Sequence, residues 1–123
     1  MRFGFIGTGN MGGALARAAR RKLAGEDLLL ANRTEAKAAA LAKELGASLS
    51  NNRTIAGNAD YIFLGVKPQM MEELLKELAP VLAERKDRFV LVTMAAGLSI
   101  RDIQDMAGGD YPVLRIMPNT PCS

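Results

Sequence analysis

The chain has 123 residues, 49% of them apolar and 24% charged, with one cysteine and no histidine. That length suits one hydrophobic core and one domain over 1–123, and the apolar share excludes wholesale disorder. A lone Cys122 excludes an intrachain disulfide and, without histidine, a usual zinc site, so a reducing compartment and no metal are expected.

The net charge of +3 and pI near 9.3 raise the question of nucleic acid. The basic residues are spread along the chain with no basic-aromatic stretch, and a small phosphorylated ligand explains them as well, so no nucleic-acid partner is expected. Glycines at positions 4, 7, 9, 12 and 13 interrupt any signal-peptide core, and no apolar run approaches the ~20 residues of a membrane span. A cytoplasmic protein is expected.

Apolar runs of strand length alternate with helical patterns. The first run, Arg2 to Ile6, leads into Gly7-Thr8-Gly9-Asn10-Met11-Gly12 and a helix over Asn10 to Leu23, with Met11, Ala14, Leu15, Ala18 and Leu23 on one face. Arg20, Arg21 and Lys22 close that helix at its negative end. GxGxxG alone is a weak signal, but behind a strand and opening a helix it gains a physical meaning. Gly7 permits the tight turn, Gly9 lets a pyrophosphate approach the backbone, and Gly12 lets helix and strand pack closely. A ligand-free tight turn is the competing explanation.

The second strand, Leu28 to Ala31, runs into Asn32-Arg33-Thr34 and a helix from Thr34 to Leu45 that stops at Gly46. Asn32 lies about twenty residues beyond Gly12, where an NAD site places an acid for the ribose hydroxyls. Asn, Arg and a hydroxyl all donate to a 2′-phosphate, whereas an acid repels one, so NADP is expected over NAD. A short third strand near Ala47 to Leu49 precedes Asn51-Asn52, which by themselves read as turn formers, and a helical turn or two to Asn58.

The fourth strand, Tyr61 to Val66, is followed by Lys67-Pro68 and a helix from Gln69 to Leu82 with Met71, Leu74, Leu75, Leu78 and Leu82 at helical spacing. After the fifth, Phe89 to Met94, come Ala95-Ala96-Gly97, small groups that let a flat ring or sugar lie against the backbone or simply pack closely. A helix over Ser99 to Met106 carries Ile100, Ile103 and Met106, and the sixth strand, Val113 to Ile116, leads to the stiff loop Met117-Pro118-Asn119-Thr120-Pro121. In that loop Asn119 is positioned to orient a nicotinamide or substrate. This alternation predicts an α/β fold, a Rossmann-like doubly wound, mainly parallel sheet with helices on both faces, whose ligands lie beyond the carboxyl ends of the strands.

Together these stretches resemble the Δ1-pyrroline-5-carboxylate reductase family of proline biosynthesis: "GFIGTGNMG", "NR" after the second strand, "VKPQ" after the fourth, "AAG" after the fifth, and "RIMPNTP", the most specific, at the end. The resemblance covers the whole chain as that family's NADP-binding domain. It implies pyrophosphate binding by Gly7, Thr8, Gly9, Asn10, Met11 and Gly12, and adenosine-phosphate recognition by Asn32, Arg33 and Thr34. It places Asn52, Val66, Lys67, Pro68, Ala95 and Ala96 along the ribose and nicotinamide, with Asn119 and Thr120 near the substrate.

The family's helical C-terminal domain, which dimerises and supplies much of the substrate pocket, is absent from this sequence. The chain alone is therefore expected to have little or no reductase activity, no general acid of its own, and an oligomeric state that the sequence leaves open, whereas the resemblance implies a homo-oligomer for the full-length protein. The reaction implied is NADPH-dependent reduction of 1-pyrroline-5-carboxylate to proline. The alternatives are another NADP-linked reductase of the β-hydroxyacid dehydrogenase type, against which "PNTP" argues, and a non-catalytic nucleotide-sensing module.

Overall fold

The computed structural model describes residues 1–7, 10–32, 34–93 and 97–116, without the side chains of Asn10, Met11 and Gly12. Its strands are β1 (Phe3–Ile6), β2 (Leu28–Ala31), β3 (Ser48–Leu49), β4 (Tyr61–Leu64), β5 (Val90–Thr93) and β6 (Val113–Arg115). They form one six-stranded sheet in the order β3-β2-β1-β4-β5-β6, and every pairing is parallel. This is the doubly wound order of dinucleotide-binding folds, so the expected fold class holds.

The helices are α1 (Asn10–Arg20), α2 (Glu35–Leu45), α3 (Asn52–Asn58), α4 (Pro68–Glu84) and α5 (Ile100–Ala107), with a short 3-10 turn at Gly25–Asp27 before β2. One layer of the core holds Phe5, Leu28, Leu30, Ala16, Leu41 and Ala42 beneath α1 and α2. The other packs Ile62, Leu64 and Leu91 of the sheet against Ile55 of α3, the α4 residues Met71, Leu74, Leu75, Leu78 and Leu82, and Ile103 of α5. Because strands buried between two helical layers are apolar on both faces, their run-like sequences follow from this arrangement.

The α4 stripe is the one its spacing predicts. The α1 face differs: Ala14 and Ala18 are exposed, Ala16 is fully buried, and Leu15, Ala19 and Leu23 pack beside it. Alanines on every side of this helix leave its apolar stripe undefined by sequence. The helix also stops at Arg20, whose guanidinium donates to the carbonyls of Leu45 (2.8 Å) and Leu23 (3.1 Å) and so ties the ends of α1 and α2 together.

Gly4, in the middle of β1, is a packing residue: a Cβ there would run into Ile55 Cγ2 of α3. On the opposite face, Phe5 and its register partner Phe63 stack with centroids 4.5 Å apart, and Phe3 stacks on Tyr61 at 5.3 Å. Bare backbone on one side of β1 and aromatic rings on the other thus set how closely each helical layer approaches.

At the amino edge of the sheet, Arg85 joins three elements. Its Nη1 donates to the carbonyls of Ala56 (3.0 Å) and Ala59 (2.6 Å) at the end of α3, and Nε and Nη2 bind the two carboxylate oxygens of Asp87 at 2.9 and 2.7 Å. The guanidinium also lies 4.6 Å from the centroid of the Phe89 ring. Only 3% of this side chain is exposed, so its hydrogen bonds replace water it has lost.

Gly4→Ala should lower unfolding stability by about 1–3 kcal/mol in urea titrations, because either Ile55 or the α3 backbone has to move. The hydrogen bond from Arg85 holds the Asp87 carboxyl below its ordinary value. Its stabilising contribution is therefore complete above the unfolded aspartate range and lost as pH falls through the lowered value. The stability difference between the parent and Asp87→Asn should accordingly shrink between about pH 6 and pH 2.

Candidate functional site

With every strand parallel, all six carboxyl ends reach the same edge, and backbone bonds beyond the strands fix where each loop begins. The Gly7 N–H donates to Ala31 O (2.8 Å), Ser50 N–H to Leu30 O (2.7 Å), Gly65 N–H to Ile6 O (2.7 Å) and Ile116 N–H to Thr93 O (2.8 Å). From β1 the chain winds outward through β2 to β3, then returns through α3 to β4 on the other side. The connections leaving β1 and β4 therefore diverge, and a crevice is left between them.

Gly7 stands in that crevice with φ +86°, and a Cβ on it would lie 2.8 Å from Gly65 O and 3.0 Å from Val66 Cγ1. Conformation and close approach both require glycine here. The bare Cα leaves Gly7 close against the exit of β4, and the 11 residues of α1 begin three positions later at Asn10.

Two adjoining clefts run along this edge. One of about 200 Å³ is bounded by Ile6, Gly7, Val66 and Met70, with Glu73 and Leu74 on its α4 side. The other, wider and more open at about 630 Å³, is bounded by Ala31, Glu35, Leu49, Ser50, Asn51 and Arg53. Asn32, Asn52 and Glu77 line both and make the two one continuous trench. Asn51 caps α3, its Oδ1 accepting the Thr54 N–H at 2.8 Å, and lines the wider cleft, while its neighbour Asn52 lines both clefts. Asn32 Nδ2 donates to Thr34 O at 3.3 Å, which steadies the loop after β2.

Of the residues singled out from sequence, Gly7, Asn32, Asn52 and Val66 come together around the narrower cleft. Thr34, Lys67 and Pro68 lie exposed at the same edge but outside the lining of either cleft. Thr34 holds the position before α2, which begins at Glu35, and its side chain makes no capping hydrogen bond. Pro68 opens α4, where its missing N–H costs nothing. Asn10, Met11 and Gly12 form the start of α1, while Thr8, Gly9, Arg33, Ala95, Ala96, Asn119 and Thr120 lie outside the described residues.

The trench also includes residues that sequence reasoning passed over. Met70, Glu73 and Glu77 recur at helical spacing along α4, on the border of its buried stripe, and that offset from the apolar face was the available signal, while Leu74 of the stripe itself reaches the cleft as well. Arg53, on α3, had none, because its neighbours fix only a turn. Among the described lining residues Arg53 is the one cation, set against the carboxylates of Glu35, Glu73 and Glu77. No group of His, Cys, Asp and Glu able to hold a metal ion occurs among the described residues, and none of their helices is long and apolar enough to cross a membrane.

Comparison with known proteins places this geometry in context. Residues 2–97 match the family model described as "NADP oxidoreductase coenzyme F420-dependent". A pyrroline-5-carboxylate reductase of Corynebacterium melassecola is 35% identical over 118 residues, covering 94% of this chain and 44% of that protein. Among solved structures, a pyrroline-5-carboxylate reductase of Coxiella burnetii superposes with a TM-score of 0.88 at 29% identity, over 98% of this chain and 44% of the other. The Plasmodium falciparum pyrroline carboxylate reductase with NADP bound gives 0.78 at 29% identity, over 99% and 44%. The chain thus spans less than half the length of these relatives.

Gly7→Ala should cost more stability than Gly46→Ala, by about 1–3 kcal/mol in paired urea titrations. Both residues have positive φ, but Gly46 has nothing within 4 Å of its would-be Cβ, so the difference isolates the close approach at Gly65.

Proposed function

Since the chain belongs to the family of coenzyme F420-dependent NADP oxidoreductases, we propose that it is the NADP-binding domain of a pyrroline-5-carboxylate reductase. The observation that carries this reading is the crevice between β1 and β4, where Gly7 leaves backbone bare at the switch in winding direction. A pyrophosphate has access to the start of α1 there because no Cβ stands in the way. The trench leading from Gly7 past Asn32 and Asn52 offers room for an adenosine half on the β2-β3 side and for a nicotinamide half towards Val66 at the end of β4.

When bound, NADPH supplies the hydride that reduces the C=N carbon of 1-pyrroline-5-carboxylate. The chain's own residues bind and orient: Gly7 and the start of α1 take the pyrophosphate, and Asn32, with Arg33 and Thr34, takes the adenosine phosphate. Val66, with Lys67, Pro68, Ala95 and Ala96, borders the ribose and nicotinamide, and Asn119 and Thr120 border the substrate. The near-complete coverage of this chain by relatives bearing the reductase name supports this reading over a β-hydroxyacid dehydrogenase or a nucleotide sensor. Substrate chemistry and dimerisation belong, in this proposal, to the part of the relatives' length that this chain does not span.

Titration of the 123-residue chain followed by nicotinamide fluorescence should give a Kd for NADPH at least about tenfold below that for NADH, the effect of about 1.5 kcal/mol from charge-assisted bonds to the extra phosphate. The same chain should turn over the pyrroline carboxylate little or not at all. Equal affinities would contradict the NADP assignment, and rapid turnover would contradict the division of labour.

A further inference from the structure

We propose that Arg53 recognises the 2′-phosphate of NADPH from the far side of the wider cleft, opposite the loop after β2. This rests on the NADP reading above and extends it to a residue that neither the glycine turn nor the β2 loop includes.

Arg53 and Asn32 line the same cleft, so a group entering between the loop after β2 and α3 meets both. The guanidinium makes no hydrogen bond or ion pair among the described residues, although Glu35 and Glu77 border the same space. Arg17 is paired with Glu44, Arg85 with Asp87 and two carbonyls, and Arg101 with Asp105 and Asp110, whereas Arg2, Arg21, Arg88 and Arg115 share with Arg53 a guanidinium unpaired among the described residues but line neither cleft.

A phosphomonoester entering beside Glu35 and Glu77 is repelled by both, and Asn32 contributes dipoles but no charge. The cation on Arg53 offsets that repulsion, and its planar fork of donors matches two phosphate oxygens at once. Leu49, 43% exposed on the edge strand of the same cleft, offers an apolar surface for the adjoining base. The wider cleft thereby offers an apolar surface at Leu49 and a cation at Arg53, the two features that a 2′-phosphoadenosine calls for.

The test compares NADPH and NADH binding to the parent chain, Arg53→Ala and Arg53→Lys by fluorescence titration, with circular dichroism and urea unfolding to verify that each variant folds. Arg53 is exposed, so its replacement should leave stability unchanged. Arg53→Ala should weaken NADPH by about tenfold or more and leave NADH within about twofold, and Arg53→Lys should recover part of the loss. Equal losses for the two nucleotides would overturn the proposal in favour of contact with the base or pyrophosphate, which both share. An unchanged NADPH affinity would overturn it outright while leaving the NADP reading intact. If the parent chain itself fails to prefer NADPH, reading and proposal fall together.

Discussion

Gly7 and Gly65 approach where β1 and β4 end, so closely that a single methyl group on Gly7 would strike the Gly65 carbonyl. The central pair of strands can therefore turn away from each other while their backbones remain bonded, Gly65 N–H to Ile6 O at 2.7 Å. Everything at the carboxyl edge follows from this contact. It brings Val66 beside Gly7, at the head of the trench between connections that leave in opposite directions. The amino edge is built otherwise, with Arg85 and Asp87 binding the loops together.

The two helical layers serve the same geometry. Gly4 lets α3 settle against β1 and so places Asn52 and Arg53 at the edge, next to Asn32. The long α4 anchors its Leu and Met stripe in the core and turns the neighbouring stripe, with Met70, Glu73 and Glu77, to the trench wall. Core packing thus sets the position of polar groups that do no packing themselves. A substitution at Gly4 or on the α4 stripe will reach the cleft through these helices.

Much of this could be read from the residues. Runs such as "FGFI" and "YIFL" announce strands buried on both faces, and the α4 stripe was unambiguous because Leu and Met alternate with charged residues at helical spacing. The turn at Gly7 was legible because strand, glycine and helix occur in sequence there. In α1 the buried face stayed hidden, since alanine is small enough to lie on any side, and Ala16 rather than Ala14 or Ala18 meets the sheet. Arg53 and Glu77 stayed hidden for a different reason. Local spacing says that a polar residue faces outward, but which neighbour's loop it then borders is decided by the return of the chain through α3 across the sheet. That Gly4 leaves room for Ile55 of α3 also needed the tertiary arrangement, because nothing local says which helix covers that face of β1.

The central claim is that this chain binds a phosphorylated dinucleotide along the carboxyl edge, centred on Gly7. Amide chemical-shift mapping of the isotope-labelled chain during titration with NADPH tests it most directly. The largest changes should fall on Gly7, Asn32, Asn52, Arg53 and Val66, while Arg2, Asp60 and Arg85 at the opposite edge stay still. Changes concentrated at that opposite edge, or none at saturating nucleotide, would contradict the account.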